Sequence, residues 1–373
     1  MADPGNGAKL GAEFSEDYRA QYSAAGPPGS VVDPAAIQRA TAALLRGGLV
    51  ALPTETVYGL AADADQPAAV RAIFDVKGRP HDHPLILHVA DAQAAEAWAR
   101  DISPAARALM ARFWPGALTL ILWRRPRASD LVTGSQSTVG LRCPSGPWAQ
   151  ALLRSLGAAR GDAAVALAAP SANRYGRISP TTAAHVQADL GEKPQGLVDV
   201  ILDGGACALG IESTIVDCTV MPPRILRPGS ISREVLAHGI SSGIDIAADH
   251  VVTPRVSGRV AGHYAPRRPL ELLAGAQLPA RARQLHPQRL GVLAPAAVLA
   301  ALPADGPGSA AAAIAAAAAP QQFAHDLYAH LRCLDDAQVD RLLVSEPPAT
   351  AEWEAVNDRL RRAAAGSAQD PVA

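Results

Sequence analysis

What the 373 residues use sparingly narrows the function first. Lysine is nearly absent: Lys9, Lys77 and Lys193 stand against 31 arginines, the 34 basic residues less these three. Cysteine occurs only at Cys143, Cys207, Cys218 and Cys333, scattered and with no C-x-x-C pair. That excludes a small disulfide scaffold and fits reduced thiols in a cytoplasmic protein. Aromatic residues make up 4% of the chain and the formal net charge is -1, so there is little for base stacking and no global field to draw nucleic acid or an acidic membrane. Any anion site must be a local cluster. No apolar run approaches the roughly 18 residues of a membrane span. Residues 1–30, acidic and rich in glycine and proline, lack the basic and apolar regions of a signal peptide and read as a flexible N-terminal arm. The phosphate loop G-x-x-x-x-G-K-[ST] is missing, and GNGAKLG at Gly5 has the wrong spacing for a dinucleotide fingerprint.

What is present is an alternation of helical and strand patterns. DPAAIQRATAALLRGG predicts a helix capped by Asp33 with Pro34 at its first position and Gly47-Gly48 as its stop, followed by a buried strand, LVALP. The pattern continues with helices around Pro67 to Val76, Ala92 to Arg100 and Pro104 to Phe113, and strands LILHV, ALTLILW and TVGLRC. A helix from Trp148, a strand AVALAAP, a helix Thr182 to Leu190 and strands VDVIL, STIVD and RIL follow. This predicts an α/β domain over 31–240 with a twisted, mixed open sheet and flanking helices. Residues 241–268, aperiodic and rich in Gly, Pro and Arg, read as a linker. A smaller parallel-sheet α/β domain is expected over 269–365, with 366–373 as a tail. The alanine run Ala310 to Ala319 fits either a surface helix capped by Ser309 or a low-complexity insertion.

Several local patterns invite chemistry. GISSG (Gly239 to Gly243) matches G-x-S-x-G but lacks the buried strand before and the helix after that a nucleophile elbow needs. His81, His83 and His88 cluster in sequence, but they sit in and after a proline-bounded loop with no carboxylate or cysteine partner, so no protein metal site is expected. Four segments put polar groups at the ends of buried strands, where open α/β sheets bind ligands. They are ALPTETVYGL, VKGRPHDHPL, TVGLRCP and AAPSANRYGRISPTT. Taken singly, each also reads as structure: Thr and Glu after a strand as a capped turn, Lys77 and Arg79 as a solvated pair.

Together, PTETVYGL, KGRP with HPLILHV, FWPGALTLIL, VGLRCP, APSAN with SPT at Ser179, GIESTIVD and ILRPGSI closely resemble the YrdC-like threonylcarbamoyl-AMP synthases. The motifs stand in the family's order over about Asp33 to Ala237. HYAP at His263 to Pro266, LYAHLRCLDD and NDRLRRAA resemble the family's long form, with a linker that crosses the active site and a Rossmann-like α/β C-terminal domain. The resemblance implies synthesis of L-threonylcarbamoyl-AMP from L-threonine, bicarbonate and ATP with release of pyrophosphate. A downstream tRNA threonylcarbamoyl transferase would then modify adenosine 37 of tRNAs reading ANN codons.

It also implies residue roles. Lys77 and Arg79 would face the triphosphate as the catalytic cations. Thr56, His88, Arg142, Ser171 and Ser213 fall at threonine and carbamate positions, and His83, Thr138, Asn173, Thr181 and Arg227 at ATP positions. Tyr264 of the linker would close over the nucleotide. His83 departs from the family's more frequent asparagine, and SGRVAG before HYAP departs from its usual methionine and basic residues. Magnesium is implied with ATP, held mainly by phosphates. Two other readings remain. One is an RNA-binding module with weak tRNA or double-stranded RNA affinity, suggested by Arg124, Arg125 and Arg127. The other is a carbamoyltransferase, which would usually bring zinc-finger-like cysteine clusters or a large kinase-like domain.

Overall fold

A computed structural model describes residues 31–238, 240, 245–246, 253–258 and 262–368. The N-terminal arm, most of GISSG and residues 369–373 lie outside the described residues. The chain sorts into two compact units. One takes in the chain up to Arg174 together with Pro180–Ser257; the other takes in Tyr175–Ser179 and everything from Gly258 onward.

The first unit is built on an 11-stranded mixed sheet. Its strands are β1 (Val50–Leu52), β2 (Gly59–Asp63), β3 (Ile86–Val89), β4 (Ala99–Arg100), β5 (Leu118–Arg124), β6 (Thr138–Arg142), β7 (Ala166–Ala168), β8 (Val200–Ile201), β9 (Thr214–Asp217), β10 (Arg224–Arg227) and β11 (Asp245–Ile246). They run in the order β11-β10-β9-β5-β6-β3-β7-β2-β1-β8, with β4 paired to β5. Parallel pairs (β3 with β6, β5 with β9, β1 with β8, β10 with β11) are mixed with antiparallel ones, three of which, β3–β7, β7–β2 and β2–β1, follow one another. Buried apolar side chains of helices Pro67–Lys77 and Pro104–Phe113 join one core cluster with the sheet, and those of Pro34–Leu45 and Pro147–Arg160 join another.

The helices start where the sequence signals them. The Asp33 side chain accepts from Ala35 N–H at 2.9 Å and Pro34 opens the helix. Ser103 and Thr182 cap Pro104–Phe113 and Ala183–Asp189 in the same way.

Tertiary packing overrides the sequence pattern in four places. The helix expected over Ala92 to Arg100 stops at Ala95, because Trp98 is fully buried with its indole N–H on Ala164 O at 2.8 Å and Ala99–Arg100 pair with β5. GLAAD forms a buried strand, β2, although nothing in its small residues marks one. The alanine run is not the surface helix that its alanines allow: Ala312–Ala315 is β14, an edge strand of the smaller sheet. Residues expected to be linker also supply β11, paired parallel to β10.

The second unit holds a four-stranded, wholly parallel sheet ordered β12-β15-β13-β14, from β12 (Leu270–Leu273), β13 (Leu290–Ala294), β14 (Ala312–Ala315) and β15 (Arg341–Ser345). The apolar stripe Phe323, Leu327, Leu331 and Leu334 of the helix Pro320–Asp336 is buried, as is the face of the last helix, Glu354–Ser367. The segment Tyr175–Ser179 belongs here: Ala265 N–H donates to Gly176 O at 2.8 Å, and Arg332 donates to Ile178 O.

Candidate active site

Four neighbouring strands of the first unit bring side chains into one row. Register pairs Ile215 of β9 with Thr119 of β5, Thr119 with Arg142 of β6, and Arg142 with His88 of β3. Residues in register on adjacent strands share a face, so Thr119, Arg142 and His88 stand side by side, all buried. Arg142 ends β6, where the strand gives way to Cys143-Pro144. Its guanidinium is gripped from three sides. Nε donates to Gly116 O at 3.2 Å, Nη1 donates to Thr56 Oγ1 at 2.8 Å, and Nη2 lies 2.7 Å from the Glu55 carboxylate. Thr54 shares a 2.9 Å hydrogen bond with Thr56, and Glu55 accepts from Gly146 N–H at 3.3 Å. Burial first, and Arg142 second, push the His88 imidazole down to about 3, so the ring is neutral at ordinary pH.

Lys77 is the last residue of the helix Pro67–Lys77, and Gly78, left-handed at φ 64°, turns the chain immediately after it. The side chain runs inward and Nζ donates to Ser171 O and Asn173 O, both at 2.6 Å. Burial and the Arg79 guanidinium hold the amine well below the ordinary lysine range, with Asp189 opposing and Arg174 reinforcing the shift. The APSAN loop that supplies these carbonyls is itself stitched to the end of the loop after β1 and the start of β2. Leu60 N–H donates to Pro170 O at 2.7 Å, and Ala172 N–H donates to Tyr58 O at 2.8 Å.

Arg79 and Arg227 converge on one residue, Ser257. Arg79 Nη2 donates to Pro84 O at 2.9 Å and to Ser257 Oγ at 3.2 Å, and Arg227 Nη1 donates to Ser257 O at 2.9 Å. Arg227 also donates to Ser213 O through Nε at 3.2 Å and Nη2 at 2.9 Å. Ser213 Oγ meets Thr119 Oγ1 at 2.8 Å, which links this cluster to the row. The glycine of RPGS is dictated by closeness: a Cβ at Gly229 would fall 2.4 Å from Thr214 N and 2.6 Å from the Ser213 carbonyl carbon.

The remaining candidates are placed as follows. Thr138 opens β6, buried, on the same face as Gly140 and Arg142. Thr181 N–H donates to His185 Nδ1 at 3.2 Å. His83 is half-buried in its loop, its imidazole lowered by burial and by Arg79. His81 is exposed, its ring stacked on Phe74 at 4.9 Å, apart from His88. Tyr264 belongs to the second unit, where it is fully buried at φ 64°, stacked on Tyr328 at 5.6 Å with the Arg359 guanidinium 5.3 Å from its ring.

Glu55, Thr119 and Ser257 are site residues that sequence reasoning did not assign. Glu55 passes for a helix cap beside two threonines, although no helix follows; Thr119 sits inside an apolar run, and Ser257 has no local signal. The thiol of Cys143, next to Arg142, is pushed up to about 12 by burial and is protonated. No three His, Cys, Asp or Glu side chains gather as a metal site among the described residues. The site therefore concentrates cations and hydroxyls at two strand ends (Arg142, Arg227), at a helix end (Lys77) and in the loop after it (Arg79): a fork suited to a carboxylate at Arg142, and cations suited to a polyphosphate at Lys77, Arg79 and Arg227.

Two family models match the chain. One, described as Telomere recombination, covers residues 42–229. The other, described as the threonylcarbamoyl-AMP synthase C-terminal domain, covers residues 231–365. A threonylcarbamoyl-AMP synthase of Bacillus subtilis is 38% identical over 342 residues, 88% of this chain and 93% of that protein. One from Pyrococcus abyssi is 38% identical over 242 residues, 64% of this chain and 68% of its own. The crystal structure of P. abyssi Sua5 complexed with L-threonine superposes with a TM-score of 0.78 at 33% identity, covering 90% of this chain and 96% of the other.

Proposed function

Because the chain belongs to the threonylcarbamoyl-AMP synthase family, we propose that it joins L-threonine, bicarbonate and ATP into L-threonylcarbamoyl-AMP, releasing pyrophosphate. The observation that carries this reading is the gathering, within one unit, of a buried arginine fork at Arg142 and separate polyphosphate-type cations at Lys77, Arg79 and Arg227. That a relative, P. abyssi Sua5, is complexed with L-threonine supports threonine as the amino acid.

In the proposed reaction the α-amine captures the carbon of bicarbonate, with loss of water, as a carbamate. A carbamate oxygen then attacks the α-phosphorus, the bond to the β-phosphate oxygen breaks, and pyrophosphate leaves. No protein nucleophile is needed, so catalysis reduces to holding anions together and stabilising the charge that builds on the leaving group. Arg142 and Thr56, with neutral His88 beside them, would hold the carboxylate and carbamate, together with Ser171 and Ser213. Arg79 and Arg227 would hold phosphates, and Lys77 would follow the charge onto pyrophosphate. His83, Thr138, Asn173 and Thr181 would line the nucleotide's path. ATP would arrive as its magnesium complex, the ion carried by phosphate oxygens. The product would serve a tRNA threonylcarbamoyl transferase acting at adenosine 37.

Two of the three arginines that suggested the RNA-binding reading are committed to carboxylates: Arg127 is paired to Asp65 and Asp162 at 2.7 and 2.6 Å, and Arg124 to Asp130 at 2.5 Å, while Arg125 Nε donates to the backbone carbonyls of Glu96 and Ala99. Incubating the protein with threonine, bicarbonate and ATP, and omitting each in turn, tests the proposal. Pyrophosphate release should require all three; release without threonine would overturn it.

A further inference from the structure

We propose that Glu55 is a positioning residue that aims Arg142 at the carboxylate of the amino-acid substrate, an inference resting on the function proposed above. An arginine carries five N–H groups. Two of them donate hydrogen bonds, to Gly116 O and Thr56 Oγ1, while Nη2 makes none and lies 2.7 Å from the Glu55 carboxylate. Each terminal nitrogen therefore keeps at least one N–H to offer, and a bidentate carboxylate takes one from each. The Glu55–Arg142 pair is buried at both ends, 6% and 5% exposed. Buried ion pairs contribute little to stability relative to apolar replacements of similar shape, so stability alone does not account for placing one beside a binding row.

The carboxylate is itself anchored. Its second oxygen accepts from Gly146 N–H, at the cap of the 14-residue helix Pro147–Arg160, where the helix dipole favours negative charge. Gly146 permits that approach, since a Cβ there would lie 3.2 Å from Thr54 Cα and 3.3 Å from Glu55 N. Helix start, Glu55, Arg142 and substrate carboxylate thus form one chain of contacts.

Titration calorimetry of the full chain with L-threonine and with L-threoninamide, which lacks the carboxylate, tests this without turnover. The wild type should prefer threonine strongly. In Glu55→Gln that preference should shrink by about tenfold or more, as expected for a misaimed charge-assisted contact. ATP affinity should stay within about twofold, the scale on which distant sites remain independent. Glu55→Asp, which keeps the charge, should retain more of the preference than Glu55→Gln. An undiminished preference in Glu55→Gln, or an equal loss of ATP affinity, overturns the role of Glu55. A wild type that does not distinguish threonine from threoninamide would instead overturn the carboxylate assignment of Arg142.

Discussion

At the scale of single residues, the chain's scarcest charged residue sits at its most constrained position. Lys77 has its amine between two backbone carbonyls, with Arg79 close enough to depress it further. Lys77→Ala should cut pyrophosphate release by more than about a hundredfold, in line with the loss of one transition-state charge contact. The circular dichroism spectrum should be unchanged; wild-type turnover would remove Lys77 from catalysis. His88 gives a signed prediction. Its folded value of about 3 lies below the ordinary 6.5, so the unfolded chain binds the extra proton. Its contribution to stability is complete above pH 6.5 and is lost as pH falls toward 3, by at most about 5 kcal/mol. Urea midpoints measured across that window should fall for the wild type and flatten for His88→Gln. Arg142 drew attention as a guanidinium at the end of a buried strand, which the structure keeps; Lys77 drew it by the scarcity of lysine, and it stands at the end of a helix, where the strand-end expectation did not put it. Glu55 was hidden because a carboxylate beside threonines has a commoner explanation.

At the scale of elements, legibility followed the caps and failed with small residues. Asp33, Ser103 and Thr182 mark helix starts by chemistry that acts within three residues, so the sequence carries the whole cause. β2 and β14 are GLAAD and AAIA, segments whose strand state comes from their sheet neighbours, for β2 the distant β7 as well as the nearby β1, for β14 the strand β13. The loops that shape the site are tight for the same non-local reason. Gly229→Ala would drive a methyl into the backbone at Ser213 and Thr214, and should cost more than about 2 kcal/mol, as strain at a close backbone approach does. It should also weaken threonine binding, because Ser213 and Arg227 move together. A melting temperature and threonine affinity equal to wild type would show the loop to be slack.

At the scale of the whole molecule, the chain shortened to end at Gly239 should be inactive. It keeps the binding row but loses Ser257, which Arg79 and Arg227 share, and every partner of Ile178 and Ser179 within the second unit. Full pyrophosphate release by that shortened chain would contradict this. The two-unit plan was legible in the sequence as two runs of alternating elements. The excursion at Tyr175–Ser179 was not, because YGRIS is five residues without helical or strand periodicity and looks like a loop of the domain it leaves.

That excursion has a consequence for how the protein can be cut, shuffled or inherited. The polypeptide passes from the first unit to the second at Tyr175, back at Pro180, and out again at Gly258. No contiguous stretch of gene therefore encodes the second unit complete. A fragment from Gly258 onward lacks the segment whose Gly176 carbonyl accepts from Ala265, and a first unit expressed by itself carries that segment as an orphan. Exchanging C-terminal units between relatives should succeed only when Tyr175–Ser179 travels with them.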